Sequence, residues 1–557
     1  MEKSQYLWWQ KGVIYQIYPR SFKDTTGNGI GDLLGVVDKL EYLTETLGVD
    51  AIWLSPFYPS PMADFGYDVS NYTDIDPLFG DLKAFDELVD QAHRQNLKVI
   101  IDLVPNHTSD QHPWFQESRM SRDNPKRDWY IWRDAKSNGK PPNNWLSVFG
   151  GPAWEWDEAT GQYYLHSFLK EQPDLNWRTP EVKEAMFAVV RFWLERGVDG
   201  FRIDVAHYIL KDPQFRDNPP NPSYEIALHR SFGPYDTQLH LYDKGHADVH
   251  EIYRQFRKLL DAYSENQPRT SIGEIHIFDW PVWASFYGEH LDELHMPFNF
   301  SLLGVRWQAQ EVRRRVEALE DAVPPNGWPN YVLGNHDEPR LASRLGNNPA
   351  RVAAMLLLTL RGTPTLYYGD ELGMKDVPIA PEKQKDPWGI RVPGLGRDPQ
   401  RTPMQWDDSP NAGFSSPGVK NLWLPLAADY KTVNVASQFA EQDSILNLYR
   451  RLLHYRKMKP ALQVGAYISV DKVPEDCFVY LREIPGEERI LVALNFSSRE
   501  QELALPELGS GYLAISTFMD RTAETDLTRL SLRGDEGVVI VLGSKKNLMS
   551  DPIERME

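Results

Sequence analysis

With 557 residues, 41% of them hydrophobic and 25% charged, the chain holds enough material for a large core and more than one domain. Its 79 acidic against 60 basic residues give a formal net charge of −19, which argues against nucleic acid or an anionic membrane as the main partner. The single cysteine, Cys477, excludes an internal disulfide and has no Cys or His cluster around it. The N-terminal text MEKSQYLWWQKGVIYQ lacks an apolar h-region, and no run is apolar enough to span a membrane, so a cytoplasmic protein is expected.

In chain order, residues 12–22 predict a first strand, followed by a Gly/Asp/Asn loop and a helix near 31–47. A second strand at 49–58 leads to a helix over 81–96, and 97–108 is a near-continuous apolar run ending in polar residues. Alternating helices and near-continuously apolar strands are the pattern of a parallel sheet covered on both faces. The rhythm breaks over 106–174, which is rich in Trp, Asn, Pro and Gly and too long for an ordinary loop, and predicts an inserted subdomain. Helix 180–196 then leads to strand 198–205, a helical region near 246–266 to strand 270–276, and a shorter segment to 295–302. Helices 306–320 and 349–361 precede strands 330–336 and 363–369. Eight such repeats predict an α/β fold, a (β/α)8 TIM barrel, with its active site at the C-terminal strand ends. The expected organisation is a barrel over 1–105 and 175–460, the inserted subdomain at 106–174, and a C-terminal antiparallel β-sandwich over 461–557 after a helix near 440–458.

Chemistry-bearing residues recur where strands finish. The third strand ends in Asp102-Leu103-Val104-Pro105-Asn106-His107, the fourth carries Arg202 and Asp204, the fifth ends in Gly273-Glu274-Ile275-His276, and the seventh in Gly334-Asn335-His336-Asp337-Glu338. Asp64-Phe65-Gly66-Tyr67-Asp68 follows the second. Arg202 and Asp204, two apart on a strand, face the same way, and the guanidinium favours an ionised, nucleophilic Asp204. Glu274 has no cation beside it in sequence and suits a raised pKa, hence an acid/base. Asp337, with His336 beside it, is placed to stabilise positive charge at an anomeric carbon. Three carboxylates without a cysteine nucleophile or phosphate loop fit glycosidic-bond chemistry, whose retaining form needs two carboxyls about 5–5.5 Å apart. Eighteen tryptophans and 26 tyrosines, many in polar loop-like text, suit a cleft in which sugars stack on flat rings.

The motifs DLVPNH (102–107), GFRID (200–204), GEIH (273–276) and GNHDE (334–338), with QPDLNW (172–177) and RTPMQWD (401–407), resemble glycoside hydrolase family 13, the α-amylase superfamily, in its α-glucosidase and oligo-1,6-glucosidase branch. The resemblance implies Asp204 as nucleophile, Glu274 as acid/base and Asp337 as transition-state stabiliser. It places Arg202, His107 and His336 around the first sugar, with Asp64, Tyr67 and Arg401 as the wall at its non-reducing end and Phe168 in the same pocket. It implies exo-action on short α-glucosides, maltose-type substrates favoured, with no organic cofactor. It also points to the loop Asp24, Thr26, Asn28, Ile30 and Asp32 as a structural Ca²⁺ or Mg²⁺ site. Relatives there commonly carry Asn and Asp in place of Thr26 and Asn28. Two readings of the loop therefore stand: a weakened cation site and a Gly-rich turn held by its own hydrogen bonds.

The linkage signals conflict: Val205 accompanies α-1,6 activity in this branch, whereas stretch 212–248 resembles enzymes acting on maltose-type substrates. A transglucosylase, or a sucrose or maltose isomerase of the trehalose synthase kind, shares the first chemical half and differs in its acceptor. A non-catalytic transporter-subunit homologue would need a membrane span, which the sequence lacks.

Overall fold

A computed structural model describes residues 6–223 and 232–543; residues 1–5 and 224–231 of the expected barrel, the latter inside the stretch 212–248, and 544–557 of the expected C-terminal domain lie outside the described residues. Each of the eight predicted segments holds one strand: β1 (Ile14–Ile17), β2 (Ala51–Leu54), β3 (Lys98–Leu103), β4 (Gly200–Ile203), β5 (Thr270–Glu274), β6 (Met296–Phe298), β7 (Asn330–Val332) and β8 (Thr363–Tyr367). They pair in the order β7-β8-β1-β2-β3-β4-β5-β6, and a parallel bridge between Asn299 and Tyr331 joins the two ends into a barrel.

Strands β6 and β7 are shorter than the sequence predicts, because Asn side chains bend the chain after them. The Asn299 amide oxygen accepts from Ser301 N (2.8 Å), and that of Asn335 from the backbone of Asp337 and Glu338 (both 2.9 Å). These turns carry the chain over the C-terminal mouth of the barrel. The predicted helix near 31–47 is also divided. Leu33–Asp38 is α-helical, started by an Asp32 side chain that accepts from Gly35 N, and Tyr42–Leu47 is a π-helical turn ending at Gly48 with φ +80°.

Period-two alternation sorts the barrel interior into a floor and a working layer. Ile14, Trp53, Ile100, Ile272, Met296, Phe298 and Val332 form one buried cluster. Two residues further along the same strands stand Gln16, Asp102 and Glu274, so polar groups begin where the apolar floor ends. Outside, Leu82–Arg94 is capped by Asp81, and its buried residues Ala84, Phe85, Leu88, Val89 and Ala92 trace a single helical face against the sheet.

Within 106–174 a three-stranded antiparallel sheet forms from Trp132–Arg133, Gln162–Leu165 and Trp154–Asp157. It is fastened to the barrel by the buried Asp174 carboxylate, which accepts from Ser167 N (2.9 Å), Asn106 Nδ2 (3.2 Å) and Lys211 Nζ (2.7 Å). At the other end of the chain a six-stranded antiparallel sheet runs in the spatial order Ala466–Ser469, Cys477–Ile484, Glu488–Asn495, Gly537–Leu542, Ser510–Ser516 and Ala523–Asp526. A two-stranded sheet of Gln501–Leu503 and Leu530–Leu532 accompanies it, and Cys477 is buried and unpaired. No described helix is long and apolar enough to cross a membrane.

Two buried arginines hold the junction between this sheet and the barrel, Arg456 from the helix Ile445–Met458 and Arg482 from the strand Cys477–Ile484. Arg456 donates to the carbonyls of Leu358 (3.0 Å), Leu462 (2.7 Å) and Gly362 (2.7 Å), and Arg482 to those of Thr359 (2.6 Å) and Gly465 (2.8 Å). Leu358 and Thr359 end the helix Asn347–Thr359, so both cations sit at the negative end of its dipole. Burial pushes the guanidinium pKa values down, to about 10 for Arg456 and about 9 for Arg482. Replacing Arg482 with Met keeps its apolar stem but strands carbonyls that water cannot reach. At about 1–3 kcal/mol per unsatisfied group, R482M is expected to lower the midpoint of thermal unfolding by several degrees. Unchanged unfolding in a calorimetric scan would remove this cap from the account.

Candidate active site

The site begins with register. Asp102 on β3 pairs with Arg202 on β4, both pointing inward at the top of the floor. The Arg202 Nη1 donates to Asp102 Oδ1 (2.9 Å) and to Asp204 Oδ1 (3.0 Å), and its Nη2 to Glu274 Oε2. The guanidinium lies over the Trp53 ring, 5.0 Å from its centre. Burying an ion costs several kcal/mol, which is offset here because Arg202 meets carboxylates on three sides and an aromatic face below. Gly200, which starts β4, lets the strands close up: a Cβ there would lie 2.7 Å from the Thr270 carbonyl.

After Asp204 the backbone is strained. Val205 has φ +36°, a conformation that costs a β-branched residue about 1–3 kcal/mol, and its N–H donates to Glu274 Oε2 (3.1 Å). Glu274 thus accepts from Arg202 and Val205 on Oε2 and meets His276 Nε2 at 2.8 Å on Oε1. The expectation of a raised Glu274 pKa is corrected: folding brings Arg202 to it from 72 positions away, and His276, two residues on, turns back to its other oxygen. Although burial opposes it, Arg202 and His276 hold the Glu274 carboxyl well below the usual range. Burial, with Glu274, Asp102 and Asp337 nearby, pushes Asp204 well up against the pull of Arg202. Burial likewise raises Asp102 to about 6.

Asp337 stands in a second network. Its Oδ1 accepts from Arg401 Nη2 (2.7 Å) and Arg397 Nη1 (3.2 Å), and its Oδ2 lies 3.4 Å from His336 Nε2. Burial would raise its pKa, but the Arg397 and Arg401 guanidiniums hold it well down. Burial lowers His336 to about 3, so it is a neutral ring, stacked on Tyr67 with parallel planes and centroids 5.4 Å apart. The Tyr67 hydroxyl meets His336 Nε2 (2.7 Å) and donates to Asp102 Oδ2 (2.9 Å), linking the two networks.

Asp64, Tyr67, His107, Phe168, Asp204, Glu274 and Asp337 all line one cavity of about 410 Å³ at the C-terminal strand ends. Arg202 and His336 are buried against it. Arg401 is displaced from its expected place in the wall: it is fully buried behind Asp337, its Nε on the His336 carbonyl (2.8 Å). The wall is made instead by Arg397, whose Nη2 reaches Asp64 Oδ1 and Asp386 Oδ1 (both 2.6 Å). Sequence reasoning missed Arg397 and Asp386. Two arginines four residues apart before Thr402-Pro403 were the available signal, but only packing decides which one reaches the cavity. Gln172, inside the QPDLNW motif, joins Asp64 Oδ2 and His107 Nε2 (both 3.2 Å). Burial lowers His107 to about 4. Part of the remaining wall is aromatic, with Phe149, Tyr208, Tyr235 and Trp388 in one buried cluster with Phe168 and Val205, alongside polar residues such as Lys244, Asn335 and Glu338.

In this structure the oxygens of the loop 24–32 accept hydrogen bonds from neighbouring protein groups. Asp24 Oδ1 accepts from Thr26 Oγ1 (3.1 Å) and Gly27 N (2.8 Å), and Oδ2 from Gly29 N (2.8 Å) and Ser415 Oγ (2.5 Å). Asp32 is taken by Thr25 N (2.7 Å), Thr25 Oγ1 (2.9 Å) and Gly35 N (2.8 Å), and Asn28 Oδ1 by Ile30 N (2.8 Å). Every carboxylate oxygen of the loop therefore faces a protein donor. Among the described residues no group of three or more His, Cys, Asp or Glu is placed to hold a metal.

Comparison with known proteins agrees with this geometry. The family model "Alpha amylase, catalytic domain" matches residues 16–465. A probable alpha-glucosidase of Rhizobium meliloti (strain 1021) is 44% identical over 519 residues, covering 90% of this chain and 91% of its own. An oligo-1,6-glucosidase of Parageobacillus thermoglucosidasius is 38% identical over 539 residues, 90% of this chain and 92% of its own. Among solved structures, the alpha-glucosyl transfer enzyme XgtA superposes with a TM-score of 0.91 at 43% identity, covering 97% of this chain and 100% of its own.

Two outcomes are expected from the site as built. Arg397→Lys keeps the charge but cannot bridge Asp64, Asp386 and Asp337 at once, so kcat/KM should fall by about 10–100-fold, or about 1.4–2.7 kcal/mol, with the circular dichroism spectrum unchanged. For the loop, excess EDTA should leave the thermal midpoint in place, whereas Asp24→Asn should lower it. Hydrogen bonds from Ser415, Gly29, Gly27 and Thr26 outweigh burial and depress the Asp24 pKa. Its contribution is therefore present above the ordinary Asp value of about 3.9 and lost as pH falls through the native value. The difference between wild type and Asp24→Asn should vanish in acid.

Proposed function

The chain belongs to the α-amylase family of glycoside hydrolases, and on that premise we propose that it is a retaining, exo-acting α-glucosidase cleaving short α-glucosides, maltose-type substrates foremost. The observation that carries this reading is the convergence of Asp204, Glu274 and Asp337 from three strand ends on one cavity, with Arg202 between the first two. The Arg397–Asp64 pair closes one wall of that cavity and supports removal of single terminal glucose units.

In this mechanism Asp204 attacks the anomeric carbon while Glu274 gives a proton to the departing glycosidic oxygen. The positive charge developing on the sugar favours the charged form of Asp204, which Arg202 also holds by its hydrogen bond. Asp337, kept ionised by Arg397 and Arg401, adds negative potential on the same sugar. Water then enters, loses a proton to Glu274, and releases α-glucose. Small α-glucosides are the only partners this reading needs, in the cytoplasm.

Similarity to the alpha-glucosyl transfer enzyme favours a second reading in which a sugar hydroxyl replaces water in the second half. The aromatic wall of Phe149, Tyr208, Tyr235 and Trp388 supports it by disfavouring water.

Proton NMR of early product from maltose, isomaltose, sucrose and trehalose tests the proposal: glucose appearing first as the α-anomer is expected, and β-glucose first would overturn retention. New glucosidic linkages without matching free glucose would mean transfer. Asp204→Asn should cut turnover by at least about 10³-fold with the fold intact. Glu274→Gln should lose far more on maltose than on an activated aryl α-glucoside, and equal losses would remove Glu274 from the acid role.

A further inference from the structure

On the proposed glycosidase reading, Glu274 has to deliver a proton, yet the site holds it ionised. Its Oε2 is occupied by two donors, Arg202 Nη2 and the Val205 N–H (3.1 Å), and cannot carry a proton. Only Oε1 can, and that oxygen faces His276 Nε2 at 2.8 Å. We propose that His276 is the positioning residue that stores and returns the proton of Glu274, the two acting as one acid/base unit.

Geometry fixes the imidazole for this task. His276 follows Glu274 by two residues, so both side chains leave on the same side. Its ring stacks on Phe300 with centroids 4.3 Å apart and planes 15° apart, and Phe232 meets its edge at 6.2 Å. Both side chains line the cavity, and His276 is the more open to solvent, 27% exposed against 7% for Glu274. The other charged or titratable groups facing it are His207, 6.1 Å away on the loop after β4, with Lys244 beyond, and Asp337 and Glu338 across the cavity. His207 turns its Nδ1 to the Glu274 carbonyl (3.2 Å), not to the carboxylate, so it does not compete for Oε1.

The proton balance closes in both halves. As the C1–O bond breaks, its electron pair stays on the leaving oxygen. That oxygen takes a proton through Glu274 Oε1, supplied there by the Nε2–H of the imidazolium, so Glu274 ends the step ionised and His276 neutral. Asp204 forms the new bond to C1. In the return step water attacks C1, the bond to Asp204 breaks with its pair on the carboxylate, and the water proton passes through Oε1 back to Nε2.

The test uses purified full-length enzyme and His276→Gln, which still donates to Oε1 but cannot store a proton. On maltose, kcat/KM at pH 7 should fall by about 10²-fold. An activated aryl α-glucoside, which needs no acid, should change by less than about threefold in its first step. The maltose pH optimum should move to lower pH, because the proton must then sit on a Glu274 that Arg202 holds down. His276→Ala supplies the second variant, and added imidazole should restore part of its maltose activity. Equal losses on both substrates, an unmoved pH profile, or no loss would each overturn the proposal, leaving His276 a structural contact. Failure of wild type to release α-glucose would overturn the underlying function instead, so the two failures are distinguishable.

Discussion

Everything at the mouth of this barrel depends on one guanidinium placed among three buried carboxylates. Arg202 is tied to Asp102, Asp204 and Glu274 and lies on Trp53, with its side chain 3% exposed. One cation against three acids leaves a deficit that burial makes expensive, and a deficit of this kind is relieved by retaining protons. The raised pKa values of Asp102 and Asp204 are that relief. The cluster is thus built to bind protons as well as charge, which general acid/base work requires.

A second cluster beside it follows the same arithmetic with a different outcome. Arg397 and Arg401 serve Asp64, Asp386 and Asp337. Here the cations converge on Asp337 Oδ1 from two sides, so Asp337 stays ionised while burial pushes Asp64 up in spite of Arg397. The neutral His336, stacked on Tyr67, separates the two networks without adding a positive charge. One protein therefore keeps a fixed anion within reach of a proton-exchanging pair, and the separation comes from which side chains the strand ends bring into contact.

Much of this was legible in the sequence, and the limits are physical. All eight strands could be placed, because buried parallel strands read as continuous apolar runs. Asp204, Glu274 and Asp337 could be selected because strand ends carry function in this architecture. Arg397 could not, since it lies in a Pro/Gly-rich stretch with no periodicity, and nothing local separates it from Arg401. The ionisation of Glu274 was misjudged for a related reason: Arg202 is 72 positions away in sequence yet bonded to its carboxylate. The loop at 24–32 is a case where the residue types stand in the sequence but their donors only in the structure: Asp24 and Asp32 accept from N–H and O–H groups of the loop, of Gly35 and of Ser415.

The strain at Val205 ties these strands together. A positive φ on a β-branched residue is retained against a cost that Gly would remove. What the strain secures is direction, because the left-handed turn aims the Val205 N–H at Glu274 Oε2 and so excludes a proton from that oxygen. With Oε2 closed, the remaining lone pairs of Glu274 are confined to the side where His276 and the cavity lie. A glycine at 205 would relax the backbone but loosen that aim, and the carboxyl could then hold its proton on either oxygen. The strained residue next to the proposed nucleophile thus acts on the proposed acid, so the two carboxylates are coupled through backbone geometry as well as through Arg202.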